Sequence, residues 1–228
     1  MGHGLSGQAF GDTIRGIGPE AGTKVTVETK RVKIPVDFDE LHEINPDIYA
    51  WIEIPGTDIS YAVLHREGDD DFYRMHSEDG AYFSGGSIYS EDYNTTDFSD
   101  KMTVLYGHNL KSGRMFAQLN DFSDATVFSE HRSIYVHLPD RMLVYEIFAA
   151  YPHTSEHLLA TYDFSDREQF ESFFAKAAET RSMQAQFLDS GMPDFDDDRV
   201  LTLSTCYRAD RYQRFLVQGR LIAEIPGK

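Results

Sequence analysis

The feature that most constrains this chain is a succession of short apolar segments, each closed by a turn. Residues 59–64, 86–89, 102–106, 133–138, 142–151, 200–205 and 214–222 are rich in β-branched and aromatic side chains and are bounded by Gly, Asp, Asn or Ser. Segments of this kind read as strands. One stretch breaks the rhythm: Ser165 and Glu168 form a capping-box pattern, and Phe170, Phe173, Phe174, Ala177 and Ala178 follow at helical spacing to about Arg181. Many short strands with one long inserted helix predict a mainly β architecture, an antiparallel barrel or sandwich rather than alternating βαβ units. The phenylalanine stripe is expected to pack into a core rather than to hold a ligand.

A chain of 228 residues with 41% hydrophobic and 13% aromatic content can bury a substantial core as one domain. The Gly-rich residues 1–24 show no sustained period and read as a flexible tail or added segment, so the domain is expected over residues 25–228. A short helix is predicted over residues 38–44, closed by Asn45 and Pro46. Residues 47–51 are expected to add a further helical turn before Pro55 and Gly56 make a tight turn.

Thirty-eight acidic residues against 21 basic ones give a net charge of −17, which opposes nucleic-acid phosphates and anionic membrane surfaces. No nucleic-acid partner is expected. No stretch approaches the roughly 18 apolar residues of a membrane span, and the N-terminus lacks a signal-peptide pattern. The match of Gly2 and Ser6 to a myristoylation pattern is read as chance or as part of an added start.

Cys206 is the only cysteine, so no intrachain disulfide can form. By default such a residue is a small buried hydrophobe, and only its surroundings can say otherwise. Along residues 200–206 the chain alternates, placing Thr202, Ser204 and Cys206 on one face and Leu201, Leu203 and Thr205 on the other. The thiol thus falls at a strand end. Arg214 opens the next strand, and pairing of the two as a hairpin would bring guanidinium and sulfur to one rim. A positive group beside a thiol favours the thiolate, the form that attacks carbonyls. His108 follows the apolar segment 102–106, with Gly107 expected to let the backbone turn, and an imidazole there can exchange protons near neutral pH. Read singly, His108 could equally be structural, and Arg214 a solvated strand residue.

In combination, TLSTC, the Arg eight residues after its Cys, the His after LYG, and NPDIYAWIEIPGTDISY at residues 45–61 resemble class B sortases. The resemblance spans residues 25–225 and includes the inserted helix. It implies an eight-stranded sortase-type β-barrel with N-terminal helices and one long inserted helix before the last two strands. It also implies cysteine transpeptidase activity, with Cys206 as nucleophile, His108 as general acid and base, and Arg214 holding substrate and oxyanion. Tyr106, Ser204 and Thr205 match positions lining the peptide groove. The implied reaction cleaves a sorting signal after Thr through a thioester and passes it to an amine. The implied partners are a signal-bearing surface protein and an amine acceptor, either a peptidoglycan precursor or a pilin lysine. A membrane anchor in the full-length protein would hold the domain at the extracytoplasmic face of the membrane. No cofactor or metal is expected. One departure stands out: where relatives often carry acidic residues after the Cys, this chain has Tyr207 and Arg208, with Arg211 close behind.

Other readings make different demands. A papain-like hydrolase places its nucleophile at a helix start early in the chain, whereas Cys206 follows a strand near the end. The acidic runs at residues 69–71 and 194–198 lack the alternating pattern and closing Glu of a calcium loop. His153 and His157 have helical zinc spacing without the glutamate of HExxH. A non-catalytic surface-binding or adhesion module would leave Cys206 a spectator.

Overall fold

A computed structural model describes residues 31–188 and 191–228. The expected tail and the first six residues of the expected domain lie outside the described residues, as does the Gly2–Ser6 match. Chain order gives helices α1 (Phe38–Ile44), α2 (Ala125–Glu130), α3 (Leu158–Thr161) and α4 (Arg167–Ala178). The strands are β1 (Ile48–Glu53), β2 (Ser60–Leu64), β3 (Ile88–Tyr89), β4 (Met102–Tyr106), β5 (Ser133–His137), β6 (Arg141–His153), β7 (Gln186–Phe187), β8 (Val200–Cys206) and β9 (Arg214–Pro226).

Eight of these strands close on themselves in the order β5-β1-β2-β3-β4-β8-β9-β6, and β6 returns to pair with β5. Closure leaves no free barrel edge, which removes the exposed amides and carbonyls of an open sheet. The pairings are antiparallel except β2 with β3 and β4 with β8, so the barrel is mixed rather than purely antiparallel. The two-residue β7 extends the β6 edge where β5 stops.

Two predicted helical features change. Residues 48–53 form β1, with Ile48, Ala50 and Ile52 buried in alternation, so the helical turn expected over residues 47–51 is absent and α1 alone precedes the barrel among the described residues. The inserted helix starts one residue later than its capping-box pattern suggested. Ser165 turns its hydroxyl to Asp163, and Asp166 caps the helix by accepting from the Gln169 amide. Helix α1 matches its predicted span, with Asp37 accepting from the amides of Asp39 and Glu40.

The core has two compartments. Inside the barrel, Ile52, Leu105, Val136, Leu201, Leu203, Phe215 and Val217 meet Phe116, Leu119 and Phe122 from the 3-10 turn Phe116–Ser123. Outside it, Phe170, Phe173, Phe174 and Ala177 of α4 cover Met102, Val104, Phe148, Tyr151 and Leu216. The stripe on α4 is therefore core. Because residues alternate along β8 and β9, the outward face passes from this covered region, at Val200 and Leu216, to an uncovered rim at Cys206 and Arg214.

Candidate active site

Strand direction brings three distant side chains to one rim. Parallel β4 and β8 pair Tyr106 with Ser204, so both chains leave the barrel at the same end. Antiparallel β9 begins there, pairing Arg214 with Cys206. The Arg214 Nη1 lies 3.6 Å from the Cys206 Sγ. Past the end of the β4–β8 ladder, the Gly107 amide donates to the Ser204 carbonyl at 3.1 Å and the Thr205 hydroxyl donates to the Gly107 carbonyl at 2.7 Å. These bonds fix the backbone immediately before His108. Gly107 is needed for close approach rather than for a turn: a Cβ there would lie 2.5 Å from Ile88 and 2.7 Å from the Phe116 ring.

The imidazole of His108 places Nε2 2.8 Å from the carbonyl oxygen of Arg74. A carbonyl only accepts, so Nε2 carries the proton and Nδ1 holds the lone pair in the neutral ring. The backbone carbonyl of Cys206 accepts from Asn109 Nδ2 at 2.9 Å and from Asn120 Nδ2 at 3.3 Å. The thiol itself is half-buried, reachable yet held at the base of a cleft.

That cleft, of about 90 Å³, is lined by Arg74, Tyr89, Tyr106, His108, Cys206 and Arg214, with Ser204 and Thr205 beneath. Every site residue expected from the sequence therefore borders one space. Their exposures differ. Ser204 lies on the same strand face as Cys206 and is buried, while Thr205 is buried with its hydroxyl already committed to Gly107. Tyr106 stacks on Tyr89 with ring centres 5.5 Å apart. Burial first, and then the neighbouring Glu91 carboxylate, raises both phenols above the ordinary tyrosine range, so both remain protonated donors. Glu91 is itself buried and pushed up by desolvation, opposed by His157, whose Nε2 lies 2.7 Å from its carboxylate.

Sequence reasoning did not single out Arg74, Tyr89, Asn109 or Asn120. Arg74 and Tyr89 sit far from the motifs, on a 3-10 turn and a two-residue strand. Only Asn109, adjacent to His108, carried a positional signal.

The residues weighed as metal ligands have other partners. His153 faces Glu156 at 3.0 Å and His157 faces Glu91. Asp70 accepts from the Asp92 amide and Asp198 from the Asp194 amide. Among the described residues, no group of three or more His, Cys, Asp or Glu side chains could hold a metal ion.

Comparison with known proteins places this geometry. Residues 52–222 match the sortase domain model. Sortase B of Listeria monocytogenes is 31% identical over 190 residues, covering 82% of this chain and 75% of the relative. The crystal structure of Clostridium perfringens sortase B superposes with a TM-score of 0.71 at 30% identity, covering 82% of this chain and all of that one. A Streptococcus pyogenes class B sortase involved in pilus biogenesis gives 0.67 at 26% identity, covering 82% and 98% of the two chains. The chain belongs to the sortase family, the cysteine transpeptidases built on this barrel. Within that family its relatives set it in class B. The papain-like and adhesion-module readings are thereby set aside. Sortases act at the bacterial cell surface on sorting-signal substrates and peptide acceptors. Among the described residues, no helix is long and apolar enough to cross a membrane.

Proposed function

We propose that the rim cleft cleaves a sorting signal after Thr and transfers the acyl fragment to an amine, with Cys206, His108 and Arg214 as the reacting set. The sulfur of Cys206 attacks the Thr carbonyl, and the oxyanion that develops is held by the Arg214 guanidinium and nearby backbone amides. His108 delivers a proton to the departing amine and later removes one from the incoming amine. Its Nδ1 is the nitrogen free for this exchange, because Nε2 is engaged by Arg74. The imidazole and thiol need not exchange a proton directly; a reactive fraction carrying thiolate and imidazolium together suffices. Tyr106 and Ser204 line the groove that receives the signal, and Thr205 shapes it from below.

The observation that carries this reading is the convergence of sulfur, imidazole and guanidinium on one cleft at the open end of the barrel. The acceptor is an amine of the cell wall or of a pilin, and the full-length protein holds this domain at the outer face of the membrane. A library of sorting pentapeptides, incubated with and without an amine, tests the reaction by mass spectrometry. Cleavage between Thr and the next residue, giving hydrolysis product alone and amide product when amine is supplied, is expected. Cleavage at another bond, or no amide product with any amine, contradicts it.

A further inference from the structure

Cys206 borders two clefts. Besides the one shared with His108 and Arg214 it borders a larger space of about 550 Å³, between the loop after His108 and the loop after Cys206. Its walls are fixed. The Arg208 amide donates to Asn120 Oδ1 at 2.7 Å, the Tyr207 amide to the Gln213 carbonyl at 3.0 Å, and the Tyr207 ring stacks on Phe215 at 5.6 Å.

The charge of this second cleft runs against the rest of the molecule. In a chain of net charge −17, its lining carries Lys111, Arg208 and Arg211 and no carboxylate. Arg208 is paired with Asp121 at 2.8 Å, whereas Arg211 rests on the Tyr212 ring and hydroxyl. Among the described residues, no carboxylate forms an ion pair with Lys111 or Arg211. Two exposed cations beside the nucleophile are thus left without a counter-charge from the protein.

We infer that this cleft receives the amine acceptor, and that it selects an acceptor carrying a free carboxylate within about a dipeptide's reach of its amine. The inference rests on the proposed acyl-transfer reading. If the acyl fragment occupies the cleft shared with His108, the second cleft bordering Cys206 is open to the amine. Cations there disfavour an ammonium, so the acceptor nitrogen arrives neutral, as a nucleophile must, while a carboxylate on the same molecule supplies the attraction. In the step itself the nitrogen attacks the thioester carbonyl and an amide bond forms. The carbon–sulfur bond breaks with its electron pair returning to Cys206, and the nitrogen's proton passes to His108.

A competition assay tests this. The full chain is acylated with a sorting peptide in the presence of equal concentrations of glycyl-glutamate amide and glycyl-glutamine amide, which differ only in one carboxylate far from the amine. Both meet the same acyl-enzyme, so the product ratio is independent of acylation rate. The wild type is expected to favour the glutamate acceptor about three- to tenfold at low salt, with the preference shrinking in 0.5 M salt. In the Lys111→Gln/Arg211→Gln double variant the ratio is expected to fall to about one. A wild-type ratio of one, or a preference that survives the double substitution, overturns the inference. If no acyl-enzyme forms at all, it is the acyl-transfer reading that fails, and intact-protein mass spectrometry of the acylation mixture separates the two failures.

Discussion

Arg214 and Cys206 are direct partners across the β8–β9 hairpin, with guanidinium nitrogen 3.6 Å from sulfur. The relationship is set by the sheet rather than by a loop. Strand β9 runs from this pair along both β8 and the 13-residue β6, so moving the guanidinium would mean shifting two ladders. The charge is in place before substrate arrives, the condition under which a donor aimed at developing negative charge is most effective.

Arg214→Ala is therefore expected to lower kcat by roughly 10²–10³-fold, the usual cost of losing an oxyanion donor. Arg214→Lys should recover only part, because an ammonium cannot reproduce the fixed fork of donors. Steady-state kinetics on a fluorogenic sorting peptide reads both, and near-equal activity of Arg214→Ala and wild type would remove Arg214 from the mechanism.

Thr205 works behind the site. Its hydroxyl donates to the Gly107 carbonyl across the end of the β4–β8 pair, one residue before His108. Thr205→Val keeps the shape but leaves that buried carbonyl without this donor, at a cost of about 1–3 kcal/mol. A drop in Tm of roughly 2–12 °C is expected from that cost. Calorimetry should show the drop, kcat should fall more than KM changes, and Thr205→Ser should restore both.

A pH dependence of stability follows from His153, cross-strand neighbour of Arg214. Burial lowers its pKa below the ordinary 6.5, only partly opposed by Glu156. The folded protein then binds this proton less readily than the unfolded chain, so stability is full above about 6.5 and falls as pH drops through that value. The Tm of the wild type should fall between pH 7.5 and 5.5 by more than that of His153→Gln. Equal losses would show that His153 does not carry the effect.

The α4 stripe makes a separate prediction. Phe170 is fully buried against Phe174 and Phe195 in the outer core. Phe170→Ala should destabilise by about 3–5 kcal/mol, a Tm loss of roughly 6–20 °C. Because α4 lies outside the barrel, activity of the folded fraction at low temperature should be retained, which a thermal melt paired with kinetics would check.

Much of this arrangement was legible in the sequence because period and chemistry coincide there. Met102–Tyr106 is an apolar run ending two residues before His108, Val200–Cys206 alternates up to the thiol, and parallel pairing puts the two ends together. Strand β1 was hidden. Its half-exposed face carries Tyr49 and Trp51, so apolar residues occupy both faces and the alternation of Ile48, Ala50 and Ile52 disappears behind a helix-like Asn-Pro-Asp start. The helix start shifted because two adjacent residues, Ser165 and Asp166, could each cap it, and Asp163 took the hydroxyl of the first. Arg74 and Tyr89 could not have been read at all. They reach the cleft only through long-range packing: the Arg74 carbonyl meets His108, and Tyr89 meets Tyr106.

The most direct measurement of the central claim is intact-protein mass spectrometry after mixing the chain with a sorting peptide and no acceptor amine. The expected result is a covalent adduct with the mass of the peptide fragment ending at Thr, removed by hydroxylamine and absent from Cys206→Ala. Peptide turnover by the Cys206→Ala variant, or an adduct that persists on it, would contradict a thioester at this sulfur.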